Sequence, residues 1–460
     1  MLRLLKAFAA KLRNYWTARR ARLRRYRDLD LGFRVYDGQA TRGHITIPNN
    51  RRAEHIAVLG KTGTGKSSLL RFFLKQDIQA GRGFACFDLH GDLTPFLFST
   101  VAAEERTLRR DLSDRLVVVE PADMECSVGL NPLEQHRGSD RFVQISEFAK
   151  ILKQRWHLDA FGARTDELLR NSLYVLAENG FTLLELAPLL SHAAFRAKCI
   201  EHVANPEIKQ YFLLRYDKAS EPMRANMREP ILNKTSAFTA DPHFRHIVGQ
   251  EHSTFSVLDY AIDRGQWIVL NLDKGKLGEE AATLGSLFLT MIKNALFARK
   301  KRELFTLYCD EIQNLVSYGG GLDTILSEAR KFAVSVVSAN QFLDQYPAEM
   351  RSAILAVGTH IFFQLSSSDA QQIAMALDGG KALTELLKNL PRRHMVIKTG
   401  YERRMEGVVP MLNYQKVDFS DLYRRCRKRW ARKRSDVERD ISTRQKVVNQ
   451  SASDTLHDWE

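Results

Sequence analysis

Eight residues, Gly60–Ser67 (GKTGTGKS), have the types and spacing of a loop that wraps a phosphate chain. Gly60, Gly63 and Gly65 let backbone N–H groups come close to phosphate oxygens, with Lys61, Thr62, Thr64 and Ser68 completing the turn. Lys66 is placed to reach the β- and γ-phosphates, and the Ser67 hydroxyl to ligate Mg²⁺. The helix that should start there adds positive potential at its N-terminus. Far downstream, Asp310 and Glu311 close the apolar run Leu304–Cys309. In P-loop enzymes an acid at such a strand end holds Mg²⁺, usually through water. The adjoining Glu311 suits a general base for an attacking water. Alone, such a pair is an ordinary acidic loop; beside a phosphate loop it favours hydrolysis of a nucleoside triphosphate, with Mg²⁺ as the metal.

The elements around these residues agree with that chemistry. His55–Leu59 is a short apolar run, as a buried parallel strand should be, and Ser68–Lys75 has helical composition with no breaker. Further strand candidates are Phe84–Leu89, Leu116–Glu120, Trp267–Leu272, Phe305–Cys309, Val334–Ser338, His360–Leu365 and Met395–Lys398, with helical stretches such as Ala281–Arg299 between them. Alternation of this kind predicts an α/β fold, a P-loop core with a mainly parallel sheet covered on both faces. Over half the chain separates Lys66 from Asp310, far more than a minimal core needs. Within it, Phe142–Trp156, Thr165–Asn179, Leu183–Leu190, Ala193–Val203 and Glu221–Phe238 all read as helices. The expected organisation is a basic N-terminal segment (1–30), the first part of the core (31–137), an inserted all-α subdomain (138–245), the second part of the core (246–415) and a basic, partly disordered tail (416–460).

Composition narrows the remaining classes. The cysteines at 86, 126, 199, 309 and 426 are scattered, which argues against a disulfide framework or a zinc site. No apolar run approaches the ~18 residues that span a bilayer, and no signal-peptide pattern opens the chain. A cytoplasmic protein, at most peripheral at the inner membrane, is expected. The net charge of +15 is concentrated in residues 1–27, with ten Lys or Arg, and 424–434, with eight; neither segment holds an acid. The body between them is therefore nearly neutral. Leu2, Leu5, Ala9, Leu12 and Trp16 recur at helical spacing in the first segment. A basic amphipathic helix suits an anionic membrane surface, a secretion-channel partner or nucleic acid, and equally a docked or solvated arm. The second run, rich in Arg, slightly favours nucleic-acid phosphate.

Several further stretches carry a resemblance: Phe87–Leu93 (FDLHGDL), Val128–Glu134 (VGLNPLE), Pro230–Asn233, Leu326–Lys331 (LSEARK), Ser338–Leu343 (SANQFL) and Val357–His360, followed by Asp369-Ala370. In order and spacing they are similar to the HerA/FtsK superfamily of DNA-pumping ATPases, and most to its type IV secretion coupling proteins, between about residues 45 and 410. The resemblance implies a RecA-like motor with an all-α subdomain, assembled as a hexameric ring around DNA, with ATP between subunits. Gln341 then corresponds to the polar sensor of the γ-phosphate or attacking water. Arg330 corresponds to an arginine finger offered to the neighbour's ATP, as against a surface cation paired to an acid. Asp88, His90 and Asp92 lie at the ligand-binding edge of the sheet, or are simply turn residues. Phe363-Gln364 stands where many relatives have a phosphate-contacting arginine. Full coupling proteins begin with transmembrane helices, in whose place this chain has its basic segment.

The function expected is an ATP-driven DNA translocase acting mainly on backbone phosphates, conjugative transfer being one setting. The alternatives are a soluble coupling or receptor ATPase recruited to a membrane channel through residues 1–27, and a nucleotide switch in an assembly protein.

Overall fold

The computed structural model describes residues 28–135, 140–155, 158–254, 262–299, 301–316, 322–346, 348–400, 403–412 and 416–453. The amphipathic segment expected at 1–27 lies outside the described residues. Runs that are apolar without alternation fold as strands covered on both faces. The strands are β1 (Asp28–Tyr36), β2 (Gln39–Pro48), β3 (Ile56–Leu59), β4 (Gly83–Asp88), β5 (Leu116–Val119), β6 (Cys126–Ser127), β7 (Trp267–Asn271), β8 (Phe305–Asp310), β9 (Val334–Asn340), β10 (Thr359–Phe362), β11 (His394–Thr399), β12 (Met405–Val408) and β13 (Arg432–Lys433). All but β6 and β13 form one sheet in the order β2-β1-β12-β11-β10-β3-β9-β8-β4-β7-β5. From β10 to β5 every pairing is parallel; β11, β12, β1 and β2 extend it antiparallel.

Successive strand residues serve opposite faces. Ala57, Leu59, Ala85 and Phe87 point into one apolar cluster, and Ile56, Val58, Phe84 and Cys86 into the other. The second cluster is closed by α1 (Lys66–Ala80) and α2 (Leu93–Leu108), through Leu70, Phe73, Leu97 and Val101. The first is closed by the helices of 141–248, including α3 (Glu221–Ala240), and by α4 (Glu280–Ala298). Every described element between Arg141 and Val248 is helical, and the stretch from Pro206 to Tyr216, not anticipated as a helix, is one too.

Three strands of the large sheet escaped the sequence reading, β1, β2 and β12, as did the two-residue strands β6 and β13. The signal for the first two was present. Asp37 and Gly38 both have positive φ (47° and 75°), which is a type I′ hairpin turn, and Asp-Gly between alternating runs is its usual sequence. The mostly exposed β2, with Arg42 in its middle and Pro48 at its end, makes a poor edge for further pairing.

Of the tail at 416–460 anticipated as partly disordered, the described residues form α5 (Ser420–Trp430), β13 and α6 (Arg434–Ser453), and 454–460 lie outside the described residues. Val437 and Ile441, one helical turn apart, bury against Leu184, a stripe that the polar composition concealed. The basic run 424–434 is also largely committed within the molecule. Arg425 pairs with Glu105 at 2.8 Å and Asp421 at 2.9 Å, and Arg427 with Asp123 at 2.9 Å and Glu125 at 3.0 Å. Arg432 pairs with Asp440, and Arg434 donates to the Pro121 carbonyl at 2.7 Å. With β13 paired to β6, and with Arg245 and His246 on Glu438, the run straps the sheet to the helical region. Lys428, Arg429 and Lys433 remain without an ion pair among the described residues.

Candidate functional site

The order β3-β9-β8 brings three chain ends together. Leu59 is beside Asn340, and Ala339 beside Asp310. The phosphate loop leaves β3, Gln341 follows β9, and Asp310-Glu311 ends β8. These residues lie at the carboxyl edge of a parallel sheet, where open α/β folds bind ligands.

The loop has the backbone a phosphate cradle needs. Gly63 (φ 77°) and Gly65 (φ 132°) occupy conformations that side chains disfavour, and α1 begins at Lys66. A Cβ on Gly60 would fall 2.6 Å from that of Phe363, so only glycine lets the loop lie on β10's exit. The loop is braced further by Lys61 N–H on the Gln364 carbonyl (2.9 Å) and Arg393 N–H on the Thr64 carbonyl (2.7 Å). Phe363-Gln364 thus supports the loop by packing and by a main-chain carbonyl.

Lys66 is buried and donates to the carbonyls of Gly60 (2.6 Å) and Lys61 (3.2 Å). Burial lowers its pKa, while Asp310 and Glu311 pull the other way. Asp310 is 6% exposed, and burial together with the Glu311 charge raises its carboxyl to about 6 against the pull of Lys66 and His90. Ser67 and Ser68 are half-buried on the first turn of α1. Glu311 is buried at φ 55°, unusual for a residue with a Cβ. Its Oε1 accepts Gln341 Nε2 at 2.9 Å, and Gln341 Oε1 accepts the Thr62 hydroxyl at 2.9 Å. The loop, the sensor candidate and the base candidate are therefore joined by side-chain hydrogen bonds.

Arg330 is not brought here. It precedes β9, at the amino edge of the sheet, where it is exposed and paired with Glu54 at 3.2 Å. A strand of seven residues lies between it and Gln341, roughly 20 Å of chain. Asp88 turns onto its own loop, accepting Gly91 N–H, Leu93 N–H and the N–H and hydroxyl of Thr94. Asp92 pairs with Arg71 at 2.6 Å. His90, exposed like Asp92, lies near Asp310.

A cavity of about 740 Å³ adjoins the loop, lined by Ser68, Arg71, Phe96, Arg392, Arg393 and Met411 among others. Its size suits a small-molecule ligand and its cations suit an anionic one. Arg392 and Arg393 carried no motif that sequence reading could have used. A cavity of about 800 Å³ lies between the helical region and α6, lined by Phe181, Phe195, His252 and Arg444 among others; it holds none of the anticipated site residues.

Comparison with known proteins places this arrangement. A search of curated proteins finds no match. Among solved structures, plasmid coupling protein TrwB in complex with the ATP analogue ADPNP superposes with a TM-score of 0.61, at 16% identity, over 84% of this chain and 95% of TrwB. TrwB with ADP and Mg²⁺ gives 0.54 at 16% identity over 85% and 96%. VirB4 of Thermoanaerobacter pseudethanolicus gives 0.54 at 17% identity over 84% and 97%. At such identities the likeness is one of fold, the RecA-like P-loop fold anticipated above. The sequence itself, over residues 39–391, matches the type IV secretion-system coupling protein DNA-binding domain, which is most of the chain. The protein belongs to that coupling-protein family, of the HerA/FtsK type.

Proposed function

We propose that this protein is an ATP-hydrolysing DNA translocase of type IV secretion, working as a homohexameric ring with ATP between subunits. The observation that carries the hydrolytic part is the chain Thr62–Gln341–Glu311, which ties a general base to the phosphate loop across three strand ends. The DNA part rests on the family match. The nucleotide is ATP with Mg²⁺, and the complexes of TrwB with ADPNP and with ADP and Mg²⁺ support both.

In this reading the loop N–H groups from Gly60 to Ser68 surround the phosphates, and Lys66 turns from its carbonyls toward the β- and γ-oxygens. The donor set fits Mg²⁺: a hydroxyl from Ser67 and the carboxylate of Asp310, both hard oxygen ligands. A divalent cation would also favour the ionised form of an acid that burial and Glu311 disfavour. Glu311 takes the proton of the attacking water and Gln341 orients that water. The basic cavity beside α1 receives the rest of the nucleotide. Arg330 cannot reach its own subunit's site, so its place as a finger is the neighbour's.

Because Asp310 titrates near 6, protons compete with Mg²⁺ below that pH and not above it. Calorimetry of ADP binding at varied Mg²⁺ should show little change from pH 8 to 7. Below pH 6 the Mg²⁺ needed for half-saturation should rise up to about tenfold per unit. A flat requirement down to pH 5 takes Asp310 out of the metal site.

The proposal as a whole is tested by steady-state ATPase rates with and without DNA. DNA should stimulate the wild type. Arg330→Ala alone should be slow, about 10³-fold or more, and mixing it with Lys66→Ala should restore partial activity, because mixed rings pair an intact loop with an intact finger. Rates unaffected by DNA overturn translocation, and full activity of Arg330→Ala removes the finger.

A further inference from the structure

The base candidate is held from a second side by residues to which nothing above assigns a role. Tyr346 is 2% exposed and its hydroxyl donates to Asn340 Oδ1. Asn340, fully buried at the end of β9, donates from Nδ2 to Gln313 Oε1. Gln313, the first residue of the short helix Gln313–Val316, donates from Nε2 to Glu311 Oε2. Each amide has one accepting and one donating end, so such a chain has a direction. Tyrosine supplies its single hydrogen at one end, and a carboxylate that only accepts terminates the other. The acceptor-only carboxylate at one end and the tyrosine O–H at the other thus agree on which way both amides face.

We infer that Gln313 is a positioning residue for Glu311, oriented through Asn340 by the hydroxyl of Tyr346. The inference rests on the hydrolytic reading of Glu311. That residue leaves β8 with positive φ, a backbone direction that does not by itself aim the side chain at the loop. Gln341 pins one carboxylate oxygen and Gln313 the other, which defines the plane of the carboxylate. Each oxygen keeps a lone pair for a water proton. If Asn340 reverses, Gln313 follows and turns its carbonyl oxygen toward the carboxylate, and the two oxygens repel. A hydroxyl six residues past the end of β9 thus influences the geometry of the group that follows β8.

The test uses the full chain carrying Gln313→Leu, Gln313→Glu, Tyr346→Phe and Gln313→Leu/Tyr346→Phe, plus Gln313→Leu in a Glu311→Gln background. ATPase kcat, affinity for a fluorescent ADP and melting temperature are measured for each. Gln313→Leu should lower kcat about 10- to 100-fold, the cost of a misplaced catalytic group, with KM and ADP affinity unchanged. Gln313→Glu keeps the shape, removes the donor and should lose at least as much, so a folding defect of the leucine variant does not decide the matter. Tyr346→Phe should lose less. The double variant should be no slower than Gln313→Leu, since both act along one path. In the Glu311→Gln background Gln313→Leu should cost nothing further. Wild-type kcat in both Gln313 variants, an equal loss in the Glu311→Gln background, or lost ADP binding overturns the inference. If Glu311→Gln alone turns over normally, the hydrolytic reading fails first; if it is slow and the Gln313 variants are not, only the relay fails.

Discussion

Glu311→Gln will bind nucleotide as the wild type does and hydrolyse ATP about two to four orders of magnitude more slowly, the usual contribution of a general base. The amide matches the carboxylate in size, though its one oxygen can replace only one of the two acceptors that Gln341 and Gln313 use. It cannot take a proton. In the proposed site nucleotide affinity rests instead on the loop N–H groups, Lys66 and the basic cavity along α1, none of which the substitution touches. Lys66→Ala should behave in the opposite manner, losing affinity as well as turnover. Single-turnover phosphate release set beside fluorescent ADP binding separates the two effects. Wild-type release from Glu311→Gln places the base elsewhere and breaks the link between the hydrogen-bond chain and chemistry.

Asp77→Ala should destabilise the core by about 3–5 kcal/mol, the cost of leaving one partner of a buried ion pair alone. Arg52 and Asp77 are both fully buried and meet through two bonds of 2.7 Å. Arg82 adds a bond of 3.1 Å to Asp77 and the Tyr308 hydroxyl one of 2.6 Å, while Arg52 also donates to Thr306 at 3.0 Å. Burial alone would raise the Asp77 carboxyl; the Arg52 guanidinium overrides it and holds the acid below its usual range. A depressed carboxyl stabilises the fold above its unfolded value, and that contribution fades as pH falls through the acid range. The pair joins the chain entering β3, the helix carrying Lys66 and the strand ending in Asp310, so the loss should reach the site as weaker nucleotide binding. A urea midpoint shift measures it. Arg52→Met/Asp77→Leu should recover part of the stability, since apolar replacement of both partners removes the uncompensated charge. A loss under about 1 kcal/mol would give the pair no more weight than one on the surface.

What could be read from the chain followed from how local each feature is. The phosphate loop needs a strand before it and a helix after it, all within neighbouring residues, and Asp310-Glu311 needs only its own strand. The buried strands were legible because a parallel sheet covered on both faces demands continuous apolar runs. The β1–β2 hairpin was legible too, in Asp37-Gly38, but its half-exposed strands lack such runs. Charge was visible and its destination was not. The arginines of 424–434 find Glu105, Asp111, Asp123 and Glu125, some three hundred residues earlier, and no spacing rule reaches across that distance.

By itself, then, the sequence carried the candidate chemistry: a phosphate-loop motif, Ser67 and Asp310 as proposed metal ligands, Glu311 as the proposed base, an α/β sheet with helices between its strands, and a family. Tertiary structure decided who stands beside whom. It set Gln341 and Gln313 on the two oxygens of Glu311, sent Arg330 to the far edge of the sheet, and turned a basic tail into a strap. The physical reason is range. Propensity and motif act over a few residues, whereas strand order and buried hydrogen bonds join positions hundreds apart, and side-chain partners are chosen only once the sheet has formed.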